Sequence, residues 1–476
     1  MSRPRIAGWC AAGALAAIVV ATACTPSPAP RPAPPAPSAV PSQPAVPSPR
    51  AAPVPAVPPV KPRGDFSAVV ALVEDAVAAR RLPGAVVQIG HGGEIVFRQA
   101  FGARKLDGEP GFDGAPSAAE PMTEDTVFDI ASLTKGVATA TAITQLEERG
   151  LVRLDEPVQT YLPGFNPTAD PRRAQVTLRM LLTHTSGIAG DLSLDGPWGL
   201  TKPDKADGIR RALAAWVVFD PGTVFHYSDI NFILLGALLE KLTGRPEDGY
   251  VRDNVFAPLG MAHTRYLPVA EVCGPHRVRG TAVAAIPGAA QVVHCPEGTW
   301  NVGLLERIAP TALDEDTPGL NPDFGYPLRG TVHDPTARRM GGVAGNAGVF
   351  TTVGDLGLFA QALLDRRAGR PSSFPLSPEG ATLMTTPQQP DAAAPDLRGL
   401  GWDIDTAHSG PRGAVFPVGG FGHTGFTGVT MWLDPGSDTY VIVLANVIHV
   451  RGGPPIVGLS GDIATEAARA LHLYGA

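Results

Sequence analysis

Strand-like runs gather at both ends of the folded part of this chain, and helical patterns fill the middle. Gly84–Gly90 and Glu94–Phe101 read as two strands joined by a tight turn at Gly92-Gly93. Further runs come late, at Gly399–Ile404, Val415–Val418, Gly428–Leu433 and Tyr440–Ala445. Helical patterns lie between them, at Leu133–Arg149, Arg179–His184, Asp229–Thr243 and Val353–Arg366. Helices also bracket the strands, at Phe66–Arg81 and Ile456–Leu473. An economical arrangement is an α+β domain. One antiparallel sheet is drawn from both chain ends, flanked by terminal helices, with an all-helical lobe inserted. A cleft is expected where the lobes meet. Leu267–Arg339, irregular and rich in Gly and Pro, reads as an elaborated surface loop of the kind that shapes substrate sites.

The domain is expected over residues 64–476, behind an address. Arg3 and Arg5 precede an apolar run, Ile6–Ala23, that ends in Ala21-Thr22-Ala23-Cys24. A charged start, a short apolar run and small residues before a cut describe a secretory signal over residues 1–23. The run is short of the ~20 residues that span a bilayer. The small residues before Cys24 resemble a bacterial lipobox, although Ala21 stands where Leu is usual. Lipidated Cys24 would then be the mature N-terminus and a membrane anchor. Residues 25–63 are mostly Pro, Ala and Ser, a composition that favours an extended spacer. At ~3.1 Å per residue its full reach is roughly 120 Å. The chain is therefore expected to be exported and lipid-anchored, with the domain in the periplasm or on the cell surface. In that oxidising compartment Cys273 and Cys295 can pair, or remain two thiols. A net charge of −7 argues against nucleic acid as a partner. No zinc-type spacing occurs, and no metal or cofactor is expected.

The chain prefers arginine, and its lysines are only Lys61, Lys105, Lys135, Lys202, Lys205 and Lys241. Lysine, unlike arginine, can lose its proton when buried. Lys135 lies in an apolar stretch three residues after Ser132, which sits where a helical pattern begins. Residues three apart share a helix face. A serine hydroxyl needs a base to become a nucleophile, and a buried lysine near a helix N-terminus can be one. Ser132 could instead be a plain N-cap, although a capping box would want Glu or Gln where Lys135 stands. S-x-x-K alone is a common chance match. Tyr227 lies just before the helix that opens at Asp229, where packing and capping are the bland roles. Gly422-His423-Thr424-Gly425-Phe426-Thr427-Gly428 could be a glycine-rich bend, or a strand offering backbone N–H groups to an oxyanion.

Taken together, the three pieces resemble the serine β-lactamase and penicillin-binding-protein superfamily. The likeness is closest to class C β-lactamases, D-alanyl-D-alanine carboxypeptidases and related esterases. The pattern is S-x-x-K, then Y-x-N, then K-T-G or H-T-G. Leu154-Asp155-Glu156-Pro157-Val158, Leu181–Gly187 and Gly341–Phe350 add further matches. Arg329-Gly330-Thr331-Val332-His333-Asp334 resembles a narrower branch that includes muramyl-peptide amidases. The resemblance implies that Ser132 is acylated and that Lys135 and Tyr227 share the proton traffic. It implies an oxyanion hole from the N–H groups of Ser132 and Phe426, with His423, Thr424 and Gly425 lining the site. His184 and its neighbours read as a structural turn.

Three departures stand out. Asp229 replaces the usual Asn, which would favour an ammonium on Lys135 and leave Tyr227 as the base. His423 replaces Lys, which removes fixed positive charge and disfavours carboxylate-bearing β-lactams. Asn346 stands where many relatives carry His. The function expected is an envelope serine hydrolase working through an acyl-serine on cell-wall peptide or muropeptide amides, as a carboxypeptidase or amidase. An esterase or β-lactamase of the same fold is the enzyme alternative, with a small ester or β-lactam as substrate. A non-catalytic penicillin-binding sensor is the alternative of another class.

Overall fold

The computed structural model describes residues 64–111, 115–279, 282–286, 295–296, 299–389, 395–450 and 455–476. The expected signal, Cys24 and the Pro-rich segment lie outside the described residues. Among those described, no helix is long and apolar enough to cross a membrane.

The early strands β1 (Gly84–His91), β2 (Glu94–Lys105) and β3 (Glu120–Pro121) join the late strands in one sheet. The late strands are β4 (Leu397–Arg398), β5 (Asp403–Asp405), β6 (Phe421–Gly425), β7 (Val429–Asp434) and β8 (Thr439–Ala445). Their order is β4-β5-β6-β7-β8-β1-β2-β3. The two chain ends meet at the antiparallel β8/β1 seam, where Val87 faces Val443 and Ile89 faces Val441.

Alternate residues along these strands feed two cores, because successive side chains point to opposite faces. Val87, Ile89, Val441 and Val443 pack under α1 (Ser67–Ala78) and the C-terminal α5 (Ile456–Ala470). Val86, Met431, Ile442 and Leu444 belong to the larger core with the helical lobe, which includes α2 (Thr141–Glu148) and α3 (Asp229–Thr243). Helix α4 (Val353–Arg367) closes on that face. Gly357 permits the approach, since a Cβ there would stand 2.0 Å from Gln88 Nε2.

The α+β expectation matches this architecture, and some boundaries change. Val415–Val418 is not a strand. Phe416 is buried beside α5 and Val418 is exposed, so this stretch serves a turn. The strand is Phe421–Gly425, held by ladders to β5 and β7 despite its glycines. Gly399–Ile404 is broken by a bend that buries Trp402. Leu267–Arg339 is more than a surface loop. It buries Trp300, Leu305 and Ile308, and Arg329 pairs with Glu120 at 2.6 Å. It also contains a disulfide between Cys273 and Cys295, whose Cα atoms are 5.7 Å apart.

Candidate active site

Ser132 follows a tight turn between a short strand and a helix. Phe128–Asp129 pairs with Val349–Thr351, which pairs with Arg265–Tyr266. Ala131 then takes a left-handed φ of 44°, uncommon for a residue with a Cβ. Buried Asp129 holds this turn. Its carboxylate accepts from Ala131 N at 2.9 Å and His333 N at 2.7 Å, and its carbonyl accepts from Thr427 Oγ1 at 2.7 Å. Burial pushes the Asp129 carboxyl up to about 6 even against those two N–H bonds.

The helix after Ser132 opens as a π-helical turn, Lys135–Ala140, before α2. Wide turns of this kind recur at functional sites. Lys135 is wholly buried. Its Nζ donates to Ser132 Oγ at 2.8 Å and to the Asn346 carbonyl at 3.0 Å, and stands 2.5 Å from Asp229 Oδ1. Burial alone would lower its pKa, but Asp229 and then Tyr227 outweigh that and hold it above the usual lysine range. Lys135 is thus an ammonium.

Tyr227 and Asp229 come from the start of α3. Ser228 caps that helix, accepting from Asn231 N at 3.3 Å and donating to the Ala189 carbonyl at 2.6 Å. The Tyr227 side chain lies beside Lys135 and Ser132, with Lys135 Nζ 5.1 Å from the centre of its ring. Burial raises the Tyr227 pKa more than the Lys135 charge lowers it, so the group rests as a phenol. Its ring lies flat on buried His184, with centroids 4.3 Å apart. His184 Nδ1 accepts from Ser228 N at 3.1 Å, and burial with nearby cations keeps the ring neutral. The turn read as purely structural is therefore also the seat of Tyr227.

The third wall is β6. His423 is buried, with its ring 6.2 Å from that of Tyr227 and Nδ1 2.7 Å from the Thr424 carbonyl. Burial pushes the His423 pKa down to about 3, and the neighbouring Asp403 carboxylate does not offset it. Asp403 is itself taken up by buried Arg398. Gly425 lets the strand end come against the nucleophile turn, where a Cβ would stand 2.5 Å from the Ile130 carbonyl oxygen. Phe426 follows, 73% exposed, with its ring stacked on His333 at 5.6 Å.

The structure thus brings Ser132, Lys135, Tyr227 and Asp229 into contact, with His423, Thr424, Gly425 and Phe426 along one edge. Sequence reasoning gave Asp129 and Asp191 no role. Asp191 lies beside Asp229, and partial burial with that negative charge pushes its carboxyl up to about 6. His333 and Asp334 had a signal only in the motif that contains them. Among the described residues, no group of three or more His, Cys, Asp or Glu is arranged to hold a metal ion.

An amine and a phenol touching one hydroxyl at a strand-to-helix turn, opposite a glycine-flanked strand, is an arrangement for acyl transfer to serine. Comparison agrees, because the β-lactamase family model matches residues 69–452. The chain belongs to the β-lactamase family. This β-lactamase-family chain is a serine hydrolase. It is 29% identical over 367 residues to a protein of Escherichia coli K12 named "Putative D-alanyl-D-alanine carboxypeptidase", covering 75% of this chain and 76% of that one. It is 28% identical over 392 residues to an N-acetylmuramyl-L-alanine amidase of Bacillus subtilis 168, covering 79% and 80%. In fold it resembles the octameric penicillin-binding protein homologue of Pyrococcus abyssi, with TM-score 0.59, 22% identity and coverage of 86% and 78%. A class C β-lactamase of Rhodobacter sphaeroides aligns with TM-score 0.57, 20% identity and coverage of 84% and 99%.

Proposed function

We propose that this hydrolase cleaves internal amide bonds of cell-wall peptides, in the manner of an amidase, through an acyl-Ser132 intermediate. The observation that carries the choice is the neutral β6 edge. A carboxypeptidase must hold the carboxylate of the residue it removes. Here His423 is uncharged, the Arg398 charge is balanced by Asp403 through Nη1 while Nε and Nη2 have no partner among the described residues, and Lys135 is paired with Asp229. An amide with no free carboxylate beside it suits such a site. The amidase of Bacillus subtilis is one of the relatives, and that likeness supports the same reading. The expected export signal and tether would bring the enzyme to this substrate.

In the proposed reaction Ser132 Oγ attacks the carbonyl carbon. The N–H groups of Ser132 and Phe426 receive the oxyanion. Tyr227 rests as a phenol, so the proton moves by relay. The Ser132 proton passes to the Tyr227 oxygen as the phenol proton passes to the departing nitrogen. The Lys135 ammonium stays beside that oxygen and stabilises charge that develops there. Water then reverses the relay, giving a proton to Tyr227 while Ser132 Oγ recovers one.

The full-length protein with a muropeptide mixture, followed by mass spectrometry, tests this. Cleavage at an amide bond inside the stem peptide, giving two peptide fragments, is expected. Loss of terminal D-Ala alone would replace this reading with the carboxypeptidase one, which the relative in Escherichia coli favours. Ser132→Ala should lower turnover by roughly 10³-fold or more. Turnover that survives it would remove the acyl-serine route altogether.

A further inference from the structure

A cavity of about 980 Å³ opens beside Phe426 and His333, walled by parts of the 310–338 region. Neither Tyr227, Asp229 nor His423 lines it. Phe426 ties it to the end of β6, Ser132 is not in its wall, and the use argued for it rests on the proposed acyl-Ser132 route. The departing nitrogen must face Tyr227 to receive a proton. With the oxygen between the Ser132 and Phe426 N–H groups, the remaining substituent of the carbonyl carbon points away from Tyr227, past the Phe426 side. A cavity there receives the acyl half of the substrate. Ligand pockets run from roughly 300 to 1,000 Å³, so this one suits a group of several residues' length.

The walls also specify charge. Among the described residues, Glu109, Asp195, Glu315 and Asp316 line the cavity, with Asp316 already paired to Arg339 at 2.7 Å, against Lys105 and Arg338 as fixed cations. Lys105 Nζ is used by the carbonyls of Leu106, Glu109 and Ser117 at 2.9, 3.3 and 3.2 Å. Arg338 is used by Asp314 at 2.9 Å and by the carbonyls of Val332 and His333. His333 is neutral, pushed down to about 4 by burial and by Arg338. Among the described residues, an anionic acyl group would meet carboxylates and no uncommitted cation.

One wall group points to the ligand more directly. The His449 side chain is 8% exposed, and its Nε2 lies 2.7 Å from Glu109 Oε2. Its Nδ1 has no hydrogen-bond partner among the described residues. With Nε2 donating to Glu109, Nδ1 of a neutral ring is an acceptor, suited to an amide N–H. We propose that this cavity is the acyl-side subsite, and that it takes elongated, peptide-like acyl groups carrying no negative charge.

Three p-nitrophenyl esters with one leaving group test the proposal on the full-length protein. Their acyl parts are acetyl, N-acetyl-dialanyl (long, neutral) and succinyl-dialanyl (long, anionic). The long neutral ester should exceed both others in kcat/KM by about tenfold, the last because like charges repel. Leu320→Lys and Leu313→Lys change exposed wall positions. Either should raise the anionic-to-neutral rate ratio by about tenfold. Equal rates for the three esters, a preference for the anionic one, or a ratio unmoved in both variants would overturn the subsite. Ester turnover that persists in Ser132→Ala would instead defeat the acyl-serine reading on which the subsite rests.

Discussion

Two buried ion pairs flank the cleft, and they do opposite things. Lys135–Asp229 touches the nucleophile, and the Asp229 side chain is 19% exposed. Arg398–Asp403 stands behind His423 with both side chains sealed. The first pair leaves its ammonium one hydrogen bond from Ser132 Oγ. The second consumes a cation that could otherwise have served the β6 edge. Similar chemistry is therefore active or silent according to what remains in reach of substrate. The site that results has an internal charge for the reaction and, among the described residues, no free cation for a carboxylate.

The sealed pair should give the larger response when broken. Asp403→Asn leaves the Arg398 guanidinium buried without a counter-charge, an error that costs about 3–5 kcal/mol. Arg398 holds the Asp403 carboxyl below the usual range despite burial. That contribution is present above the ordinary carboxylate pKa and is lost as pH falls through the lowered one. Urea unfolding at neutral pH should show the deficit, while Ser132 acylation in the folded variant stays within a few-fold of the parent. A stable Asp403→Asn protein would mean that the second pair is not what silences this edge.

A third buried acid sharpens the contrast, because its nearest partner is a hydroxyl. Glu247 lies beneath the 344–347 turn that supplies a carbonyl to Lys135, and accepts from Thr139 Oγ1 at 2.9 Å. Burial pushes its carboxyl up to about 7 from an ordinary 4.5. Between those values the folded chain holds a proton that the unfolded chain has released, so stability falls as pH rises across the window. At about 1.4 kcal/mol per pKa unit the loss is slightly more than about 3 kcal/mol by pH 8. Glu247→Gln removes this slope. Denaturant midpoints at pH 5 and pH 8 should converge for the variant and separate for the parent; parallel behaviour would place the charge elsewhere.

What could be read from the sequence follows the range of the interactions. Ser132 and Lys135 are one helical turn apart, so their meeting is a local fact. The apolar pattern announced the helix that places Tyr227 and Asp229, although its cap is Ser228 rather than Asp229, and the opposite charge of Asp229 foretold its bond to Lys135. The seat of Tyr227 was not legible, because His184 reaches it across 43 residues of chain through a stacked ring (227 − 184). Nor was the grip of Asp129 on His333 N, which spans most of the helical lobe. Val415–Val418 has better strand composition than Phe421–Gly425, yet ladder partners chose the latter. Packing beneath α5 took Val415 and Phe416 instead. The region from 267 to 339 shows few periodic signals because its core contacts come from separated residues such as Trp300 and Ile308.

Asp229→Asn tests the less deeply buried pair, where the expected effect on stability is smaller and the effect on the reaction is specific. In the parent, Asp229 and Tyr227 overcome burial and keep Lys135 charged across the working range. Without the carboxylate, burial dominates and the Lys135 pKa falls. The amine then loses its proton as pH rises through that lowered value. At low pH the variant should carry an unbalanced ammonium beside Ser132 and run about tenfold slower, from perturbed charge at the relay oxygen. At higher pH a neutral amine can take the serine proton itself, so kcat/KM should climb with a new alkaline limb. The parent should lack that limb, because its ammonium persists. A matching profile in both proteins would show that Asp229 does not set the charge of Lys135, and the contrast between an active and a silent pair would fail at its active member.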